Sequence, residues 1–266
     1  MRVPVRKGAL DSDVPAAKGD MLGVGKELLM RRTGLTMFAV AALTACSTTI
    51  NLGGIRGSGD MTTETRDVSG FTRIVLEGSG SVVVEVSGTQ SLTIEAEDNL
   101  ISHLTSDVSN GTLTLGTDAS ISPTREIVYS VGVAALDGVI IEGSGNVTAG
   151  NVETDSFEAA ISGSGSINID AITVETFDGS ISGSGRIEVS GSTTDLTVSI
   201  PGSGTFSGAD MEATGATVKI SGSGDAVVNV TVSLITDVSG SGSVEYLGNP
   251  TSVHTDISGS GSVEPR

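Results

Sequence analysis

The pentapeptide ISGSG stands at 161–165, at 181–185, at 220–224 and again at 257–261, with near copies beginning at Ile200 and Val238. Aligned on the first glycine of each GSG, the chain repeats at Gly143, Gly163, Gly183, Gly202, Gly222, Gly240 and Gly259, in steps of 20, 20, 19, 20, 18 and 19 residues. Self-similarity at that period is the signature of a solenoid. A further GSG at Gly78 shares the flanking pattern, whereas the one at Gly57 lacks it and reads as linker.

The flanks give the repeat its physical content. Two residues before each glycine stand Leu76, Ile141, Ile161, Ile181, Ile200, Ile220, Val238 and Ile257, and four residues after it Val82, Val147, Ile167, Ile187, Phe206, Ala226, Val244 and Val263. Six residues before it come Phe157, Phe177, Leu196, Ala216, Leu234 and Val253. Ser, Thr, Asp and Glu fill the places between, so apolar side chains fall on one face of a strand and polar ones on the other. One turn of 18–20 residues cannot bury such a face alone. Stacked turns can, each strand pairing in register with its equivalents above and below.

The expected fold is therefore all-β, a right-handed single-stranded parallel β-helix, the handedness following the usual sense of parallel crossovers. The glycine pairs Gly143 and Gly145, Gly163 and Gly165, Gly183 and Gly185, Gly202 and Gly204, Gly222 and Gly224, Gly240 and Gly242, Gly259 and Gly261 are read as its corners. There glycine would accept positive φ without a Cβ clash. Residues 67–138 are less regular and read as an N-terminal β cap, with strands over 71–76, 81–86, 91–96, 112–115 and 127–133 and a short helical turn at 99–104. The regular coils occupy 139–266, and Pro265 is expected to stop the last strand.

The amino end reads as an export signal. Met30, Arg31 and Arg32 form a basic start, TGLTMFAVAA (33–42) a short apolar core, and LTAC (43–46) the end. LTAC resembles the bacterial lipobox, which implies diacylglycerol on the Cys46 thiol and cleavage just before it. Cys46 is the only cysteine. The plainer alternative is a general secretory peptide with a chance cysteine. Residues 1–29 carry charges that do not suit a signal and read as a mis-assigned start, with translation beginning at Met30 or else Met21. Ser47 after the cysteine implies the outer membrane in a host that has one. The stretch 46–66 is polar, rich in Gly and Thr, and reads as a flexible tether.

From Cys46 onward the chain holds seven basic and 28 acidic residues, a formal charge of −21. Such a surface is repelled by phosphate backbones, which excludes nucleic acid as a partner. No GxxxxGK[ST] follows any GSG, and of the residues after it only Asp225 is acidic, so neither a nucleotide cradle nor a calcium ladder is written here. Asp155, Asp170, Asp178 and Glu188 are the carboxylates that a polysaccharide lyase or hydrolase could use on adjacent coils; solvated outward positions are the simpler reading. His103 and His254 lack a triad or zinc constellation in sequence. No catalytic, cofactor or metal residue is assigned.

The lipobox, DVSGFTRIVLEGSGSVVVEVSG (67–88), IEAEDNLISHLTSDVSNGTLTL (94–115) and the tandem ISGSG turns together resemble the bacterial GIN-domain family of autotransporter adhesin heads. That resemblance spans nearly all of the chain after Cys46 and implies a β-helix exposed on the cell envelope. No membrane barrel follows the last turn, so lipid is expected to hold it. The function expected is a lipid-anchored, non-enzymatic surface-binding module whose partner is a glycan, a surface protein or a second copy. A polysaccharide-acting enzyme and a passive envelope component are the alternatives.

Overall fold

The computed structural model describes residues 53–266. The stretch 1–29, the export segment 30–45, Cys46 and the first part of the tether lie outside the described residues. From Gly138 to Pro265 the chain winds as a parallel β-solenoid in which each strand pairs with the strand one coil before and one coil after it.

The three apolar columns read from the repeat are the core. One runs through Leu115, Leu76, Ile141, Ile161, Ile181, Ile200, Ile220, Val238 and Ile257. A second runs through Tyr129, Val82, Val147, Ile167, Ile187, Phe206, Ala226, Val244 and Val263. The third is Phe157, Phe177, Leu196, Ala216, Leu234 and Val253. Phe157 and Phe177 stack with centroids 5.8 Å apart, and Phe206 tilts against Phe177 at 6.2 Å. Gly179 and Gly208 leave the room that the Phe206 ring fills. Burial at the head of the second column pushes the Tyr129 phenol up to about 12.

Each coil has one more side than the periodicity suggested. Along Ser166–Ile181 the alternation of buried and exposed residues slips at Asp170 and Ala171, both exposed, and again at Glu175 and Thr176. Two successive outward residues mean that the chain has bent. Ile172 and Val174 therefore form a third inward segment between those flanking the glycines.

The corner glycines are where the sequence placed them, between Val152–Ile161 and Ser166–Ile181 and at the equivalent places in later coils. Their reason is different from the one expected. Positive φ occurs in the opening coil, at Gly78 (116°) and Gly80 (127°), and at Gly143, but at none of the later GSG glycines. The corner instead continues the ladder: the N–H groups of Ser162, Ser164 and Ser166 donate to Ile141, Gly143 and Gly145 carbonyls at 2.8, 2.9 and 3.1 Å, and the pattern recurs up the stack. A Cβ on Gly185 would lie 2.6 Å from the Gly165 oxygen and 2.7 Å from Ile161 Cγ2. Glycine is required for clearance between coils rather than for a left-handed bend.

The N-terminal region also departs from expectation. The tether was read as ending at Arg66, yet Met61–Arg66 is an antiparallel strand on Ser91–Glu97, and Ile55–Arg56 pairs with Ile121–Ser122. Leu104–Ser109 and Thr112–Thr117 form a hairpin around Asn110 (φ 49°) and Gly111 (φ 80°), both left-handed as a two-residue turn of this kind needs. The helical turn is a single 3₁₀ turn, Ile101–His103. In space the coil formed by Thr112–Thr117 and Val128–Val133 comes first, Arg73–Gly78 and Ser81–Val86 second, and Gly138–Gly143 and Asn146–Gly150 third. The chain thus lays its second coil before its first. Antiparallel Met61–Arg66 and Leu104–Ser109 close that end. At the other end Ser252–Ile257 is exposed along its whole length.

Candidate functional site

The bends that make the third side of each coil also make a groove. Glu153, Thr173, Ser192 and Glu212 align in register across four coils, with Thr154, Val174, Thr193 and Ala213 in the next row. Asp155, Glu175, Thr194 and Thr214 complete the lining of an open depression of about 710 Å³. Two of the hydroxyls hold its floor: Thr193 Oγ1 donates to the Glu175 or Asp195 carbonyl, each 3.2 Å away, and Thr154 Oγ1 to Asp137 Oδ1 at 3.0 Å. Four carboxylates and several hydroxyls face outward from a rigid backbone, and no Lys or Arg lines the groove. Such a surface accepts hydrogen bonds from hydroxyl or amino groups and repels anions.

Of the four carboxylates singled out in sequence, only Asp155 is in this groove. Asp170 sits at the bend after Ile169 and accepts from Asn168 Nδ2 at 2.8 Å, while its carbonyl accepts the Ser190 hydroxyl. Asp178 lies on a different side, in register with Glu158 and Thr197. Glu188 is in register with Asn168 and Ser207 on the side after the glycines. These carboxylates are not brought into one acid–base pair. His103 Nδ1 contacts Asp118 at 3.0 Å, and His254 is on the last coil, so the two imidazoles occupy opposite ends. Asp225 accepts from the Ser243 N–H at 3.2 Å and from its hydroxyl. Among the described residues no group of three or more His, Cys, Asp or Glu converges as a metal site.

The groove had a readable signal that the sequence analysis passed over. The triplets ETD (153–155), TVE (173–175), STT (192–194) and EAT (212–214) recur nine or ten residues after each GSG. In each triplet the middle residue (Thr154, Val174, Thr193 or Ala213) faces inward, and the polar residues on either side face out.

One buried polar cluster was also unforeseen. Glu97 is 1% exposed. Its Oε1 accepts from the Gly59 N–H (2.7 Å) and the Thr124 hydroxyl (2.6 Å), and its Oε2 from the Thr124 N–H (2.8 Å) and the Arg125 N–H (3.4 Å). The Thr124 hydroxyl, with these backbone donors, holds the carboxyl below its ordinary value against the desolvation that pushes it up. Every acceptor site is used within the protein, so this cluster ties 57–59 to the cap and has no capacity left for a ligand.

Comparison with known proteins adds the following. The family model described as "Putative auto-transporter adhesin, head GIN domain" matches residues 70–250. No curated protein matches the chain in sequence. Among solved structures, a "putative adhesin" from Bacteroides fragilis NCTC 9343 superposes with a TM-score of 0.75 at 24% identity, covering 80% of this chain and all of that one. A "putative adhesin" from Parabacteroides distasonis ATCC 8503 gives 0.63 at 21% identity, covering 80% and 99%. A "putative lipid binding protein" from the same organism gives 0.62 at 23%, with the same coverage. At these identities the likeness concerns the fold.

Proposed function

We propose, from the premise that this chain belongs to the auto-transporter adhesin-head GIN-domain family, that it is a non-enzymatic binding module held on the cell envelope by lipid at Cys46. Its ligand is a neutral or amino-bearing glycan taken in the groove of Glu153, Asp155, Glu175 and Glu212. The observation that carries this reading is the registered alignment of carboxylates and hydroxyls across four coils. A linear polysaccharide presents hydroxyls at regular intervals, and a stack of coils presents acceptors at regular intervals of about 4.8 Å. Rigid placement means that little conformational freedom is lost on binding.

A lipid ligand inside the solenoid is not favoured, because Phe157, Phe177, Phe206 and the aliphatic columns fill the interior. Hydrolysis or elimination is not favoured either, since Asp170 and Asp178 face different sides.

A glycan array probed with the full chain carrying Cys46→Ser tests the assignment. Binding to neutral or amino sugars, lost in the Glu175→Lys/Glu212→Lys variant and absent for sulfated or uronic acid polymers, is the expected result. Binding that ignores the double variant defeats the groove assignment. Release of reducing ends by the wild type, abolished by Asp170→Ala or Asp178→Ala, defeats the non-enzymatic reading. Membrane retention unchanged by Cys46→Ser defeats the anchor.

A further inference from the structure

The two ends of the solenoid are unlike. Antiparallel strands cover the first, whereas nothing among the described residues covers the last. On the final coil Val253 is 44% and Ile257 41% exposed, although both continue interior columns. These are core positions of a coil that no other described strand covers.

The backbone there has a definite parity. Ser258 N–H donates to the Val238 carbonyl at 2.9 Å. Successive N–H groups along a strand alternate in direction, so Ser252, His254 and Asp256 bond back to the preceding coil, and Val253, Thr255 and Ile257 direct their N–H and C=O groups away from it. The neighbouring strand Ser262–Pro265 obeys the same rule, since Arg266 N–H donates to the Tyr246 carbonyl at 2.9 Å. Pro265 therefore falls at an outward position, where its missing N–H costs the preceding coil nothing and withholds a donor from any added strand. One strand of the open coil is closed to extension and the other is left free.

We infer that this free strand pairs with the same strand of a second copy, antiparallel and centred on Thr255. In that register Thr255 faces Thr255 of the other copy and Val253 faces Ile257, each as a hydrogen-bonded pair formed by the outward N–H and C=O groups. His254 then faces Asp256, on the outer side and in the closer, non-hydrogen-bonded type of pair. The match is threefold. Backbone parity, apolar pairing on the inner side and opposite polarity on the outer side all select the same register, and the two-fold axis repeats each pair twice. Head-to-tail stacking has no such match, because the capped end presents antiparallel edges, with the Arg66 guanidinium already donating to the Ile101 and Leu104 carbonyls.

Placing a second carboxylate opposite Asp256 reads the register directly. The test uses the full chain carrying Cys46→Ser, which removes its only cysteine and with it any disulfide-linked dimer. Sedimentation velocity across a wide range of concentration should show a monomer–dimer equilibrium. Adding His254→Asp sets like charges opposite each other twice and should weaken association by about tenfold or more. Adding Asp256→His to that variant restores opposite polarity and should restore association. Both side chains are exposed, and an unchanged circular dichroism spectrum confirms that the variants fold. A chain monomeric throughout, a dimer indifferent to His254→Asp, or a double variant that fails to recover overturns the inference.

Discussion

Glycine at a GSG corner is a statement about clearance. At Gly185 the missing Cβ is the space between one coil's carbonyl and the next coil's backbone, with Ile161 Cγ2 on the inner side. Gly185→Ala should cost roughly 2–4 kcal/mol, because neither backbone can retreat without lengthening its ladder bonds. Gly150→Ala is the contrast. Its nearest neighbour would be Asp170 Cβ at 3.9 Å, so the change should be neutral or stabilise by up to about 1 kcal/mol. Urea unfolding of the two variants separates clearance from a general intolerance of side chains. At Glu97 the folded carboxyl is lowered from 4.5 by hydrogen bonds, Thr124 first. A depressed acid contributes stability that is present above its unfolded value and lost as pH falls through the folded one. Stability should therefore decline below about pH 4.5, and Glu97→Gln, which sets an amide among N–H donors, should lower the urea midpoint at neutral pH and flatten that acid limb.

Strands were legible where one of their faces is buried. Ile, Val and Phe at fixed offsets from each GSG revealed the columns, since a period of two places them inside and no other register does. Met61–Arg66 carried no such pattern. Its residues MTTETR are exposed or half-buried throughout, because the strand closes the sheet and takes its stability from backbone pairing and from Arg66, whose Nη1 donates to the Leu104 carbonyl at 2.7 Å. A polar edge strand and a polar tether are alike in sequence. The hairpin at Asn110-Gly111 was different, since that dipeptide between alternating residues is a strong turn signal, yet no strand was assigned to Leu104–Ser109 before it. The groove was partly legible in its recurring triplets, whereas the bend that gathers them depends on how a closed coil fits around its own side chains. If 53–66 are part of the fold, then truncation at Asp67 uncovers the edge of Ser91–Glu97 and removes the Gly59 donor from Glu97. The truncated protein should melt at lower temperature and aggregate, as measured by scanning fluorimetry with light scattering.

At the largest scale, the described residues form a solenoid with a packed interior, antiparallel strands over its first coil and an exposed last coil. Its cohesion is local, since each coil touches only those above and below. Excising residues 186–204 joins Gly185 to Thr205, which occupies the position of Arg186 in the next coil. Phe206 then rests on Ile167 and Ile220 on Ile181, so every column stays inside. The shortened protein should keep its β spectrum and unfold cooperatively with a modestly lower midpoint. Excising only 186–195 puts bend residues where strand residues belong and should abolish folding, which circular dichroism would report.

The carbonyl ladder through the glycine corners makes one coil an acceptable neighbour for any other. Coils are interchangeable parts, and the near-identical stretches that encode them are places where unequal recombination can add or remove a unit without a mismatch. The length of the solenoid is then a quantity that evolution can adjust in increments of about 4.8 Å per coil, leaving the ends and the chemistry of the sides as they were.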